Sequence, residues 1–254
     1  MTEFPEGAAW VLGGSGGIGS VIARCLAEGG SDVAIGYRSK GDKAEATAAA
    51  IRETGCKVST HALDVTDANS IDAALQAVLA EHGRLHTVVF AAGPVVEQLL
   101  LADTPVEAWR QAVDTEQHGL FQIIKACLPA LRESQGSVVH VGSAGDRWWP
   151  PMDGLSVIPK AANEALIRGI AKEEGGNGVR ANSVLVGVIE AGMFLELLER
   201  GVFDEHWIRE TKKLLALKRW GKPEDIGEAV RFLASQRANY ITGEQINVSG
   251  GFGV

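Results

Sequence analysis

Short apolar runs alternate regularly with amphipathic segments along the 254 residues of the chain. Between the runs, apolar residues recur at helical spacing, as at Ile18, Ile22 and Leu26. Strands that alternate with helices of this length predict an α/β fold with a doubly wound parallel sheet and helices on both faces. The predicted strands, typical of strands buried on both faces, are 8–12, 32–37, 57–63, 86–91, 137–141, 179–186 and 245–248.

Two long helical segments are predicted, 105–131 and 155–174, and each contains a proline. Pro129 is expected to kink or end the first of them, because proline removes a helical hydrogen bond. No repeat, low-complexity tract or linker interrupts the pattern. We therefore predict one domain over residues 1–254, with a polar helical insertion at 190–218 that covers a substrate.

The composition is that of an ordinary globular protein, with 46% hydrophobic and 22% charged residues. The formal net charge of −8 argues against a nucleic-acid or anionic-membrane partner. No apolar run approaches the roughly 18 residues of a membrane span, and no signal-peptide core is present, so a cytoplasmic location is expected. Cys25, Cys56 and Cys127 fit no disulfide or metal spacing, which predicts reduced thiols and no metal site.

A glycine-rich loop at 13–19 separates the first predicted strand from the first predicted helix. Gly13, Gly17 and Gly19 leave backbone N–H groups accessible beside a helix N-terminus, where a pyrophosphate is favoured. Their spacing is a variant of the dinucleotide fingerprint. A plain glycine turn is the alternative, but the strand before the loop and the helix after it favour nucleotide binding in a Rossmann-type fold.

The second predicted strand ends at Tyr37, and Arg38 and Ser39 follow it. In a dinucleotide fold this position meets the adenosine ribose, where an acidic residue would hold the 2′-hydroxyl group. Arg38 instead offers a forked cation to a 2′-phosphate, unless it is merely a solvated loop charge. NADP(H) is therefore the predicted cofactor.

In this order along nearly the whole chain, further motifs resemble the short-chain dehydrogenase/reductase family. The matching pieces are the glycine loop, Asp64-Val65, Ala91-Ala92-Gly93, Gly142-Ser143, Lys160-Ala161-Ala162, 179–183, 219–226 and 240–251.

The resemblance implies positions around NADP(H). The pyrophosphate would contact Gly13, Ser15, Gly16, Gly17, Ile18 and Gly19, and the adenosine ribose and its phosphate would contact Tyr37, Arg38 and Ser39. The adenine would lie beside Asp64 and Val65, and the adenosine and ribose would be flanked by Ala91, Ala92 and Gly93. The nicotinamide ribose would be held by Lys160, and the nicotinamide would lie against Gly187 and Ile189.

The chain departs from the family pattern at the positions of proton chemistry. Ser143 and Lys160 match, but Ser156 stands where the family has its acidic tyrosine, and Glu116 aligns with a helical asparagine. A serine hydroxyl is a far weaker acid than the phenol of tyrosine, whose pKa is about 10. Ser143 and Ser156 are therefore expected to donate hydrogen bonds to a substrate oxygen.

Three carboxyl groups, or an acidic hydroxyl on the substrate itself, are the candidate proton sources. The aligned position of Glu116 points inward, and the alternative is a polar residue on an exposed helix face. His118, two residues later, is expected to point to a different face. Asp146 and Asp153 are interpreted first as solvated loop residues. Asp153, however, lies seven residues before Lys160, where one group of enoyl-reducing family members has its tyrosine.

The loop segment 148–151, Trp-Trp-Pro-Pro, follows Ser143 and is expected to wall a pocket for a flat ligand, or to form a rigid loop or a subunit contact. Family analogy implies a homo-oligomer. The predicted function is NADP(H)-dependent hydride delivery to a ketone or enone of a small hydrophobic molecule; the alternative is a non-redox sensor, lyase or cyclase on the same fold.

Overall fold

Seven strands pair in parallel in a computed structural model that describes residues 3–254. They are β1 (Ala8–Leu12), β2 (Asp32–Tyr37), β3 (Val58–Ala62), β4 (Leu85–Phe90), β5 (Ser137–Ser143), β6 (Arg180–Val186) and β7 (Gln245–Val248). Their order in the sheet is β3-β2-β1-β4-β5-β6-β7. The predicted doubly wound parallel sheet is confirmed, with boundaries shifted by two residues at most.

Nine α-helices connect and cover the strands in the described part of the chain. They are α1 (Gly19–Glu28), α2 (Gly41–Arg52), α3 (Ala68–His82), α4 (Val106–Val113), α5 (Gly119–Ser134), α6 (Gly154–Glu174), α7 (Gly192–Glu199), α8 (Glu205–Leu214) and α9 (Pro223–Ala234). None of them, within residues 3–254, is long and apolar enough to cross a bilayer. Pro129 lies inside α5 without ending it.

The apolar strands are explained by two hydrophobic cores, one on each face of the sheet. Ala9 and Val11 of β1 pack into the core that contains Ile22 of α1 and Val230 of α9. Trp10 and Leu12 pack into the other core, beneath α3, α5 and α6. Because every residue of β1 is buried, the strand shows a continuous apolar run instead of polar alternation.

The winding of the chain reverses between β1 and β4, which are adjacent in the sheet. In open parallel sheets a crevice forms at this reversal, outside the carboxyl ends of the strands. The glycine loop follows β1 and residues 91–93 follow β4, so both lie at the same edge. The fold thus brings the glycine loop and residues 91–93 to the same edge of the sheet.

The segment 190–218 contains α7 and α8, held by an aromatic cluster that the polar sequence pattern did not reveal. The Phe203 and Trp207 rings stack with their centroids 3.9 Å apart. Phe194 of α7 contacts both of them and also the Trp220 ring, whose centroid is 5.5 Å away. The two helices are therefore tied to the segment before α9; that they cover a substrate stays a prediction.

His86 should make folding stability fall in acid. It is fully buried in β4, bonded to the Ser31 and Thr87 hydroxyls, and burial lowers the pKa of His86 to about 4. Below pH ~6.5 the His86 imidazole is protonated in the unfolded chain, whereas in the folded chain it stays neutral until the pH approaches 4. We expect about 3 kcal/mol of the unfolding free energy to be lost between pH 7 and pH 4 through this group.

Urea unfolding of the wild type, His86→Gln and His118→Gln across this pH range measures the effect. The unfolding free energy of His86→Gln should fall less with decreasing pH than that of the wild type, by that amount. His118 is exposed, so His118→Gln is the control and should follow the wild type. Parallel curves for the wild type and His86→Gln would show that His86 does not contribute.

Candidate active site

The glycine loop has the geometry of an anion cradle. Gly13 has a φ of +83°, and a Cβ there would lie 2.5 Å from the Ala91 carbonyl oxygen. A Cβ on Gly17 would lie 2.5 Å from the Gly192 nitrogen. Helix α1 starts without a side-chain cap and without an acidic residue in its first turn, so the positive end of its dipole is available to a pyrophosphate.

Arg38 and Asp64 come together beside the loop, at the ends of β2 and β3. The backbone N–H and the hydroxyl of Thr66 donate to Asp64 at 2.9 and 2.7 Å. These bonds, with a smaller contribution from the Arg38 charge, hold the pKa of Asp64 below its usual range. Arg38 and Ser39 are exposed and Tyr37 is half-buried, which leaves the guanidinium free to meet a ligand.

Two further backbone segments, after β4 and after β6, are fixed by bonds to neighbouring strands. The Ala91 N–H donates to the Leu12 carbonyl at 3.0 Å, and the Gly187 N–H donates to the Val248 carbonyl at 3.2 Å. A Cβ on Gly187 would lie 2.7 Å from the Ser249 Cα. Ile189 is buried and forms a β-bridge with Gly221, so its position is fixed by the segment before α9.

Ser143 and Ser156 lie on two elements in contact, the end of β5 and the first turn of α6. The Ser143 Oγ accepts a hydrogen bond from the Gly145 N–H at 3.1 Å, so its hydroxyl hydrogen remains free to donate. A Cβ on Gly145 would lie only 2.6 Å from the Val157 Cγ2. This tight packing holds the segment after Ser143 against the turn in which Ser156 is buried.

Lys160 and Glu116 form a buried ion pair at the centre of the site. The Glu116 side chain is 3% exposed and that of Lys160 is 18% exposed. Glu116 comes from a π-helical turn, Asp114–His118, that joins α4 to α5. Its other carboxylate oxygen is buried and has no hydrogen-bond partner within residues 3–254. The prediction that Glu116 points inward is confirmed.

Gly93 makes room for this carboxylate, because a Cβ at Gly93 would collide with the Glu116 Oε1. His118, two residues after Glu116, is exposed and bonded to Asp114 at 2.9 Å. The prediction that His118 points to a different face is confirmed as well.

A buried polar network behind α6 was missed in the sequence. The Asn163 Nδ2 donates to the Glu116 carbonyl at 3.0 Å and approaches the His140 Nε2 at 3.4 Å. The His140 Nδ1 lies 2.9 Å from a Glu164 oxygen, and Gln245 donates to the other at 2.9 Å. Asn163 and Glu164 follow Lys160 by three and four residues on one helix, and this spacing was the available signal.

Burial alone would raise the pKa of Glu164, but the bonds and charge from His140 and the Gln245 amide bring that pKa below its usual range. Glu164 is therefore an ionised buried group that holds the His140 ring in place. The interpretation of His140 as a satisfied core histidine is confirmed.

Asp146 and Asp153 differ in exposure. Asp146 is exposed, as expected for a loop carboxylate. The favoured interpretation of Asp153 as a solvated loop residue is wrong, because Asp153 is half-buried at the start of α6 and accepts a hydrogen bond from Gln98 at 2.9 Å. Burial raises the pKa of Asp153, while the Gln98 bond and the Lys160 charge partly oppose the rise. The segment between them exposes Trp148 and Trp149.

Removing the lysine of the central pair should destabilise the protein in a pH-dependent way. In Lys160→Met, the Glu116 carboxylate stays buried without a cation, which we expect to cost about 2–3 kcal/mol of unfolding free energy at pH 8. The cost should shrink at pH 5, since a protonated carboxyl tolerates burial better. Thermal or urea unfolding measures both values.

The double variant Lys160→Met/Glu116→Gln is the matched control and should recover most of the loss at pH 8, because no lone charge is left. Equal stability of Lys160→Met and the wild type at both pH values would contradict a buried ion pair.

The chain is similar in sequence to a known protein family and to curated relatives. Residues 13–253 match a family model described as enoyl-(acyl carrier protein) reductase. The chain is 33% identical over 245 residues to the 3-oxoacyl-(acyl-carrier-protein) reductase FabG of Staphylococcus aureus, covering 96% of this chain and 97% of that protein.

Solved structures agree. A short-chain dehydrogenase/reductase from Mycobacterium ulcerans has a TM-score of 0.91 at 29% identity, covering 98% of this chain and 90% of its own. A blue fluorescent protein from a metagenomic library, in complex with NADPH, has a TM-score of 0.89 at 26% identity over both full chains. The chain belongs to the short-chain dehydrogenase/reductase family.

Proposed function

We propose that this protein is an atypical NADP(H)-dependent reductase that delivers hydride to a ketone or conjugated enone of a small hydrophobic molecule, with polycyclic aromatic ketones among the candidates. The observation that carries the proposal is the convergence of an uncapped glycine cradle with Ser143, Ser156 and the Lys160–Glu116 pair at one edge of the sheet. The relatives support it, since one is named a 3-oxoacyl reductase and another binds NADPH.

The residues of the crevice fit a dinucleotide. The pyrophosphate would bind at the N-terminus of α1, beside Gly13, Gly17 and Gly19. A Cβ at any of the three would collide with neighbouring backbone atoms, so the loop keeps this shape only with glycine there. Arg38 would pair with a 2′-phosphate, and Lys160 with the hydroxyls of the nicotinamide ribose. When bound, the reduced nicotinamide supplies the hydride.

The remaining residues act on the substrate oxygen, which gains negative charge as the carbon is reduced. The Ser143 and Ser156 hydroxyls would donate hydrogen bonds to that oxygen, and Lys160 adds a positive charge nearby. Since position 156 lacks the family's tyrosine and position 116 its asparagine, the proton must come from a carboxyl group or from the substrate itself. This departure is what makes the proposed reductase atypical.

The same departure supports the second candidate, a non-redox sensor, lyase or cyclase that retains the pocket. In such a protein the Lys160–Glu116 pair would serve binding or stability alone. Nucleotide binding and hydride transfer, measured separately, tell the two candidates apart. A homo-oligomer and a covering role for 190–218 remain predictions.

NADPH should bind more tightly than NADH, because Arg38 offers a forked cation to the 2′-phosphate. Quenching of tryptophan fluorescence by each nucleotide gives the two dissociation constants. Arg38→Ala should weaken NADPH binding about 10- to 100-fold, the range expected for one hydrogen-bonded charge pair of about 1.5–3 kcal/mol. NADH binding should be unchanged.

Arg24→Ala is the matched control, since Arg24 is exposed on α1 away from the end of β2. Equal affinities of the wild type for NADPH and NADH would contradict the role of Arg38. Failure of both nucleotides to bind would favour the non-redox candidate.

Turnover should depend on the two serines unequally. With NADPH and a panel of acetoacetyl thioester, 2-cyclohexenone and 2-tetralone, oxidation of the nucleotide at 340 nm measures reduction. Ser143→Ala should lower kcat about 10²–10³-fold, as for loss of an oxyanion donor, Ser156→Ala should lower it only modestly, and Lys160→Ala should abolish turnover. Full activity of Lys160→Ala would contradict its proposed role.

A further inference from the structure

Asp153 occupies an unusual position for a residue that precedes a helix. It is the N-cap residue of α6, yet its side chain does not cap the helix. Only its backbone carbonyl serves the first turn, accepting from the Ser156 and Val157 N–H groups at 3.1 and 2.9 Å. An aspartate here normally accepts hydrogen bonds from the free N–H groups of the first turn. The Asp153 carboxyl group makes no such bond and is free to make other contacts.

The backbone around Asp153 is fixed by an unusual φ at the preceding residue and by a β-bridge to a distant segment. Met152 has a φ of +70°, a left-handed conformation that is uncommon for a residue with a side chain. The Leu99 N–H donates to the Met152 carbonyl at 2.9 Å, and Leu99 forms a β-bridge with Asp153. The neighbouring Gln98 therefore lies beside Asp153 and donates to its Oδ1 at 2.9 Å.

Asp153 is partly buried and lies on the same helix as two residues of the site. Ser156 and Lys160 follow it by three and seven residues on α6, a spacing that places all three along one side of the helix. Lys160 is the charged group that acts on Asp153, from the second turn of the same helix, and it is itself paired with Glu116. From the loop before Leu99, the neutral Gln98 amide is the group in contact.

The two other candidate carboxyl groups are less suited to supply a proton. One oxygen of the Glu116 carboxylate is already engaged by the Lys160 ammonium group. Asp146 is exposed and follows β5 rather than lying along α6. Asp153 is the carboxyl group for which burial outweighs the stabilisation of its charged form.

We propose that Asp153 is the proton donor to the substrate oxygen, with Gln98 as the residue that positions its carboxyl group. This inference rests on the proposed reductase function and names its proton source. The O–H bond of the Asp153 carboxyl breaks and the O–H bond of the alcohol or enol forms. The reduced nicotinamide provides the two electrons with the hydride and is oxidised, and the Asp153 carboxylate regains its proton from water.

The first test is read on the free protein, without nucleotide or substrate. In protein labelled with ¹³C at the aspartate carboxyl carbons, the Asp153 resonance, assigned by its loss in Asp153→Asn, should titrate at higher pH than that of exposed Asp103. Gln98→Leu should move the titration of Asp153 further upward, because it removes a donor to the charged form. Titration of Asp153 at or below the pH of Asp103 overturns the proposal.

The second test is the pH profile of kcat with the ketone that the wild type reduces. Asp153→Asn should lower kcat at least 100-fold and remove the loss of rate at alkaline pH that marks deprotonation of the donor. Asp153→Glu should restore part of the rate, and Gln98→Leu should shift the alkaline limb to higher pH. Asp103→Asn is the matched control and should behave as the wild type.

These outcomes separate the inference from the function on which it rests. Wild-type rate and pH profile in Asp153→Asn overturn the proton-donor role while leaving the reductase function in place. If the wild type binds NADPH but reduces none of the ketones or enones, the proposed function fails and the donor role fails with it, whatever the NMR titration shows.

Discussion

The buried pair of Lys160 and Glu116 is the interaction on which the arrangement of the site depends. Two opposite charges removed from water are costly unless each has a close partner, so α6 and the π-helical turn must meet with good geometry. The bond from Asn163 to the Glu116 carbonyl fixes the same turn through its backbone. The side chain and the main chain of Glu116 are thus both held by residues of α6.

This arrangement has a structural cost that the surrounding residues offset. A π-helical turn is rare and is found frequently at functional sites. Here it places Glu116 where Gly93, without a side chain, leaves space for the carboxylate. Behind the same helix, His140 and Glu164 satisfy each other and Gln245 closes the remaining oxygen. Lys160, Asn163 and Glu164 of α6 are therefore each held by a side-chain contact.

The sequence predicted the fold well because the central strands β1, β2 and β4 are almost wholly buried and therefore form continuous apolar runs. Residues 8–12 and 32–37 were predicted to the residue. The glycine loop followed from a local pattern in the same way, whereas the inward direction of Glu116 came from alignment with the family's helix. The environment of Asp153 did not, because it depends on a bridge to Leu99, 54 positions away in the chain. Long-range contacts of this kind leave no periodic signal.

The glycine cradle also has a consequence for how the chain acquires its ligand. Gly17 packs against Gly192, and Gly13 against Ala91, so the loop near the amino terminus is completed by residues from the middle and the last third of the chain. Helix α1 in turn packs against α9. A partly synthesised chain that lacks these segments has the glycine motif but not the cradle. Ligand bound there stabilises the finished chain as a whole, by mass action on its folded state.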